Sequence, residues 1–332
     1  MIANFLSKLV QLIIFMVMLS IVVFALARLS PGDPLTAYYG DALDRMPIEQ
    51  KEAAMSRLSL DRHIVEQYMV WVRNVQRGDF GISYIYKRPV SGVIKDLWLN
   101  TLLLGGISYI LTFALSTLLA VFCARREGSV IDAATCKIGI VSSLIPTFFV
   151  AVLCILIFSL NLKILPSGGA YSVGHKHDLG DRISHLILPV FTLTLSHLWY
   201  YAYILRNKLI DELQKDYVLL LRVKRLSMSR ILYRHCLRNC LPALITIMSI
   251  SVPHIITGTY ITEFVFNYPG LGTLTFESIR YKDYNTLSMI TLLTGFFVIC
   301  AGIVGQEISA CLDPAMRHEG TLELKQNNYE AT

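Results

Sequence analysis

Residues Asp216 to Pro242 read DYVLLLRVKRLSMSRILYRHCLRNCLP. Arg230, Arg234 and Arg238 recur every four residues and share one helical stripe, while Met228, Leu232 and Cys236 share the opposite one. A helix patterned this way lies along a membrane surface, or between membrane and partner. The run Leu226-Ser227-Met228-Ser229-Arg230 marks a break, with Ser227 or Ser229 as cap of the second helix. The stretch therefore predicts helix, turn, helix, after which Pro242 opens the descent into an apolar run. A basic loop held in this way between two apolar runs forms a docking surface.

The apolar runs set the fold class. Six of them, Leu9–Ala27, Leu97–Ala124, Ile138–Leu162, Ile183–Leu205, Asn239–Thr262 and Tyr284–Gln306, contain no Asp, Glu, Lys or Arg. About 20 apolar residues cross the hydrocarbon core, and a charge at mid-span costs about 3 kcal/mol on insertion scales. Charged residues make up only 16% of the chain and the mean hydropathy is +0.52, against about 25% charged in soluble domains. The expectation is an all-α polytopic membrane protein with six transmembrane helices. The first run is longer than the apolar region of a secretory signal, and no small-residue cleavage site follows it, so it reads as a retained helix.

Charge sets the sidedness. Between Arg206 and Arg238 nine basic residues face Asp211, Glu212 and Asp216, a net +6. The whole chain also nets +6, so the remainder sums to zero. Short-loop Lys/Arg bias puts this loop in the cytoplasm. Six spans then put both termini and the Arg125–Lys137 loop there too, and the 28–96 segment outside. All seven cysteines fall in spans or on the inner side, and no disulfide framework is implied. With the positive excess confined to one inner loop, topology and a protein partner account for it, and nucleic acid does not. The outer segment opens with Pro31-Gly32-Asp33-Pro34, reads helical from Pro47 to Gln76, and breaks at Arg77-Gly78-Asp79-Phe80-Gly81. The tail after Gly320 is polar and expected to be disordered.

The order of residues in the basic loop resembles the cytoplasmic EAA loop of ABC-importer permeases. The resemblance is closest to the binding-protein-dependent type I branch serving dipeptides, oligopeptides and nickel complexes. That branch reads D-Y-V-x-x-A-R-A-K-G-L-S and then R-H-x-x-R-N-x-x-x-P. Here Asp216-Tyr217-Val218, Arg222, Lys224, Leu226-Ser227, Arg234-His235, Arg238-Asn239 and Pro242 keep the pattern. Leu221 replaces the small Ala, and Arg225 replaces the Gly, where a turn and a close approach to the ATPase are expected. Further matches run in order along the chain: Pro31-Gly32-Asp33-Pro34, Leu60-Asp61-Arg62, Gln67-Tyr68, Gly78 to Ser83, Arg88-Pro89-Val90, His185 to Pro189, Glu263 with Val265 to Gly272, Asp283-Tyr284, and Leu312 to Arg317.

The resemblance implies an importer subunit in the cell membrane that forms the path for small peptides or nickel and other metal-chelate complexes. The implied organisation is 1–30 as N-terminus and first helix, 31–96 as an external helical segment, 97–306 as a five-helix permease core with a coupling loop at 206–238, and 307–332 as a cytoplasmic tail. The implied partners are a second homologous permease subunit, two cytoplasmic ATPase subunits, an external solute-binding protein and the lipid bilayer. Asp216, Tyr217, Val218, Leu221, Arg222, Lys224, Arg225, Leu226 and Ser227 are the implied ATPase-coupling residues.

No phosphate-binding Gly-x-x-x-x-Gly-Lys-Ser/Thr, His-Glu-x-x-His or Gly-x-Ser-x-Gly is present in the sequence. The chain is expected to hold no cofactor and no catalytic residues, with ATP and Mg on partner subunits. Within the spans His197, Ser251, His254 and Thr257, with Glu263 at a span mouth, are candidates for the translocation path or gate. Interhelical hydrogen bonding is the plainer reading of the first four. His175, His177, Asp178, Asp181 and His185 suit nickel or zinc by chemistry, yet a solvated loop explains them as well. His235, Cys236 and Cys240 fit apolar packing better than a metal or redox site. The alternative function is an ATP-independent secondary transporter or channel, which would normally show repeated halves or charged intramembrane residues. A membrane-embedded enzyme would need a catalytic pair within the spans.

Overall fold

The structure, a computed structural model, describes residues 2–29, 35, 39–57, 62–176 and 178–312. The described residues are helical, apart from turns and one isolated antiparallel bridge between Ile82 and Pro89. Five helices are long and apolar enough to cross a membrane, and one bent pair adds a sixth if it forms a single span. The five include α1 (Ile2–Leu29), α4 (Val90–Arg125), α7 (Leu179–Leu213) and α11 (Tyr284–Leu312). The fifth is α9 (Met228–Val265). Between them lie α2 (Ile48–Arg57), α3 (Ile64–Gln76), the short α8 (Asp216–Val223) and α10 (Leu271–Arg280).

The third apolar run departs from the straight helix expected over Ile138–Leu162. It is split between α5 (Val130–Ser142) and α6 (Thr147–Asn161, the last seven residues π-helical), which meet at 109°. Pro146 ends the first half physically. It lacks an N–H and pushes the residue before it out of helical backbone, and it stands as N-cap of α6. The helical reading of Pro47 to Gln76 resolves into α2 and α3, with the His63 imidazole accepting from the Val65 amide at the start of α3. The motif residues Pro31 to Pro34, Leu60, Asp61 and 313–317, together with His177 and the tail after Gly320, lie outside the described residues.

Two compact units divide the chain. In the unit formed by Met1–Thr101 and Pro269–Ile299, Phe24 of α1 packs edge-on against Tyr68 of α3 and tilted against Trp71, at ring distances of 5.3 and 5.7 Å. The hydroxyls of Ser20 and Tyr68 lie 2.8 Å apart. Asp283 precedes α11, is fully buried, and accepts from Ser83, from the Thr286 hydroxyl at 2.9 Å and from the Thr286 amide at 3.2 Å. It thereby caps α11 and pins the Gly78–Ser83 motif at once.

The other unit, Leu102–Tyr268 with Cys300–Thr332, is a bundle joined by small residues and polar links, the usual means where lipid removes the hydrophobic drive between helices. Tyr109 donates to the Met248 carbonyl, Ser116 to the Leu198 carbonyl and Ser309 to the Pro242 carbonyl, at 2.9, 2.8 and 3.0 Å. α5 lies so close on α7 that a Cβ on Gly139 would stand 2.6 Å from Tyr203 Cβ and 2.8 Å from the Trp199 carbonyl oxygen.

Candidate functional site

The helix-turn-helix expected in the basic loop is present as α8, a tight turn and the start of α9. Ser227 is the cap, accepting from the Arg230 amide. α9 is 38 residues long, about 57 Å at 1.5 Å per residue, nearly twice the roughly 30 Å hydrocarbon core. Its first turns, carrying the arginine stripe, therefore extend beyond the span. Arg230, Arg234 and Arg238 are exposed, Leu232 and Cys236 are fully buried and Met228 is partly buried against the same core, so the two stripes separate as the sequence indicates. Ile231 to Cys236 is wound as π-helix.

α8 has two apolar faces. Inward, Val218 is buried, and Tyr217, Leu221 and Leu226 pack on a core of Leu205, Leu209, Leu213, Ile231 and Leu232. Outward, Leu219, Leu220 and Val223 are 64%, 63% and 73% exposed. Around them Asp216, Arg222, Lys224 and Arg225 are also exposed. An exposed apolar face rimmed by charge on a short, firmly seated helix has the composition of a protein-docking surface. The nine coupling residues named from the sequence thus divide into inward anchors, an outward charged rim and a cap. Leu219, Leu220 and Val223, the apolar centre, were not among them. Their signal was legible, since Val-Leu-Leu-Leu at the start of an eight-residue helix cannot all face one side.

Arg225 adopts φ +59°, the left-handed region. The family pattern has Gly there because Gly takes this conformation without steric cost. The turn geometry is kept and the strain falls on an arginine.

Three helices meet at Glu212, in the last turn of α7. Its buried carboxylate accepts from the Tyr217 hydroxyl of α8 at 2.8 Å and from Asn239 Nδ2 of α9 at 3.1 Å, both on Oε1. Lys215 Nζ lies 2.6 Å from Oε2. The Tyr217 oxygen is 3.6 Å from Cys236 Sγ. Burial, with the thiol and carboxylate beside it, pushes the Tyr217 phenol far above its ordinary range, so it remains a donor. Cys236 and Cys240 are buried in the packing beneath α8.

The candidate path residues do not form one cluster. Glu263 is fully buried and Ser251 is buried with its hydroxyl on the Met248 carbonyl, while His254 and Thr257 are exposed on α9. His197 of α7 faces Gly258 of α9, whose missing Cβ would lie 3.0 Å from Nε2. Of the histidine and carboxylate group, His185 is buried, with Nδ1 2.9 Å from the Gly168 carbonyl and Nε2 3.3 Å from the Ser172 hydroxyl. His175 pairs with Asp178 at 3.7 Å. Among the described residues no three His, Cys, Asp or Glu side chains converge as metal ligands.

Residues 116–318 match the family described as binding-protein-dependent transport system inner membrane component. Oligopeptide transport system permease protein AppB of Bacillus subtilis (strain 168) is 31% identical over 301 residues, covering 90% of this chain and 94% of the relative. Glutathione transport system permease protein GsiC of Escherichia coli (strain K12) is 28% identical over 313 residues, covering 94% and 98%. Among solved structures, the inward-facing MetNI methionine ABC transporter superposes with a TM-score of 0.54 at 16% identity, over 67% of this chain and 97% of that one, a likeness of fold. The ordered loop motif, the all-helical multi-pass architecture and these matches agree: the chain belongs to the binding-protein-dependent transport system inner membrane components, as a plasma-membrane permease subunit of an ATP-driven ABC importer of the peptide and oligopeptide branch.

Proposed function

We propose that this permease passes short peptides inward and takes its power stroke through α8. The importer family implies ATPase and solute-binding partners. In this reading two cytoplasmic ATPases, holding ATP and Mg, serve a heterodimer of this chain with a homologous permease, and one ATPase seats on Leu219, Leu220 and Val223. Asp216, Arg222, Lys224 and Arg225 form the rim of that contact, while Tyr217, Val218, Leu221 and Leu226 carry its movement into the bundle and Ser227 holds the turn. The short-loop Lys/Arg bias puts the basic 206–238 loop in the cytoplasm in this reading, and six spans then put both termini there too. The external segment within 31–96 and the Phe266–Thr273 turn receive the loaded binding protein. His197, Ser251, His254, Thr257 and Glu263 stand near the path. The peptide cargo is supported by the names of the relatives, and nickel has no such support.

The observation that carries the coupling reading is the exposed apolar triad on a short helix seated through Val218. The test is co-purification of the ATPases with the double variant Leu220→Asp, Val223→Asp. Anchor residues at the centre of an interface contribute about 2 kcal/mol or more each, so the ATPases are expected to be lost and uptake with them. Intact ATPase binding and normal uptake in this variant would overturn the reading.

A further inference from the structure

We propose that Glu212 is a positioning residue that makes α7, α8 and α9 move as one piece, so that a displacement of α8 reaches the bundle undamped. This rests on the reading of α8 as the ATPase-facing helix. Only Gln214 and Lys215 separate α8 from α7, and Lys224 to Ser227 separate it from α9. Two short linkers fix where an eight-residue helix sits, but leave it free to rock about its ends. The apolar seat under Val218 resists lifting but not sliding, because dispersion contacts are not directional. Hydrogen bonds to a buried carboxylate are directional, and stronger than neutral ones.

The arrangement at Glu212 has the features of a joint. One oxygen, Oε1, takes a donor from α8 (Tyr217) and a donor from α9 (Asn239), so the two helices are tied to each other through a single atom of α7. The second oxygen takes the Lys215 ammonium from the linker, which balances the charge. Glu212 is only 5% exposed, so water is a poor substitute for the Tyr217 donor, while Lys215 and Asn239 reach it from the exposed side. The π-helical turn Ile231–Cys236 lies between the cap Ser227 and Asn239. It brings Cys236 under the Tyr217 oxygen and leaves Asn239 facing Glu212. Neither Glu212 nor Asn239 belongs to the exposed face of α8, which separates transmission from docking.

The test uses the assembled importer in proteoliposomes and the binding protein purified with its own bound ligand. Co-purified ATPase, basal ATP hydrolysis and stimulation of hydrolysis by the binding protein are measured for Glu212→Ala, Glu212→Gln and Asn239→Ala. The signal from outside to the ATPases must cross the joint. Loss of one charge-assisted hydrogen bond corresponds to about a tenfold effect, so stimulation is expected to fall about tenfold in Glu212→Ala and Asn239→Ala while the ATPases stay bound. Glu212→Gln, whose amide oxygen still accepts from Tyr217 and Asn239, is expected to recover most of it. If Glu212→Ala does not assemble, Asn239→Ala and Glu212→Gln decide alone. Full stimulation in Asn239→Ala, or equal loss in Glu212→Gln and Asn239→Ala, would overturn the proposal. Loss of bound ATPase in these variants would count against it too, by making the network part of the docking surface. Failure of the coupling reading itself shows separately, as ATPases that remain bound to the Leu220→Asp, Val223→Asp variant.

Discussion

Arg206 holds Asp132 through two parallel hydrogen bonds, Nε to Oδ1 at 2.8 Å and Nη2 to Oδ2 at 2.7 Å, with Asp132 buried and Arg206 largely so. Asp132 also accepts from the Gly128 amide, and its own amide donates to Ser129, the cap of α5. One carboxylate therefore closes the turn between α4 and α5 and ties α5 to α7, six residues before Glu212. Removing one partner of such a pair leaves a buried charge, a loss of about 3–5 kcal/mol. Asp132→Ala is expected to lower the thermal midpoint of the detergent-solubilised protein sharply. Asp132→Leu combined with Arg206→Met is expected to restore much of it, since a buried pair and an apolar pair of similar volume are close in stability. A double variant no better than Asp132→Ala would show that the fork itself is required.

Arg225 sits at φ +59°. A side chain in left-handed backbone costs about 1–2 kcal/mol relative to Gly. Arg225→Gly is therefore expected to stabilise the turn between α8 and α9 by about 1 kcal/mol, and Arg225→Val, with a branched Cβ, to weaken it. Limited proteolysis of the 216–230 segment reads both directions. An Arg225→Gly turn cut faster than wild type would mean that the guanidinium makes up for the strain.

Asp283 carries a comparable load in the other unit. It is fully buried, caps α11 and accepts from Ser83, 200 residues away. Asp283→Ala removes the cap and strands the Ser83 hydroxyl, together about 3 kcal/mol. Ser83→Ala removes one donor and leaves the cap, about 1 kcal/mol. Thermal unfolding of the two variants should rank them in that order, and equal losses would place the stabilisation in Ser83 instead.

The membrane architecture was legible because the bilayer imposes its own arithmetic: a charge-free run of some 20 residues is visible without any structure. The bend in the third run was hidden by that same rule. Pro189, Pro242 and Pro253 each sit inside a helix that continues, whereas Pro146, following Ser142, Ser143 and two loop residues, ends one. A proline alone therefore does not tell a broken helix from a continuing one, and no residue spacing carries the difference. The loop motif gave the location of α8 and its cap, and the stripe of arginines came out as read. Its exposed apolar triad and the Glu212 joint were missed for opposite reasons. Leu219 and Leu220 fall at the variable positions of the loop motif and Val223 at one where this chain departs from it, so a reading led by the motif passed over them although their spacing was visible. Glu212 read as one of three acids diluting a basic loop, because burial of a single carboxylate depends on contacts across 27 residues of sequence, to Asn239.

Gly258 offers the last prediction, on the contact between α7 and α9. A Cβ there would stand 2.8 Å from Leu193 Cδ1 and 3.0 Å from His197 Nε2. Leu193 is fully buried and packs in a cluster with Phe113, Tyr201 and Ile255, so its methyl has little room to withdraw. Overpacking of this kind costs about 1–3 kcal/mol. The helix propensity of Ala over Gly, about 1 kcal/mol, offsets part of it. Gly258→Ala is therefore expected to be mildly destabilising and Gly258→Leu severely so, in thermal unfolding of the solubilised protein. If His197 is held in place and is the obstacle, the double variant His197→Ala, Gly258→Ala should regain the loss. If Leu193 is the obstacle, it should not. The pair thus separates a histidine that can swing away from α9 from one that is held in place, which is what a role for His197 beside the transport path depends on.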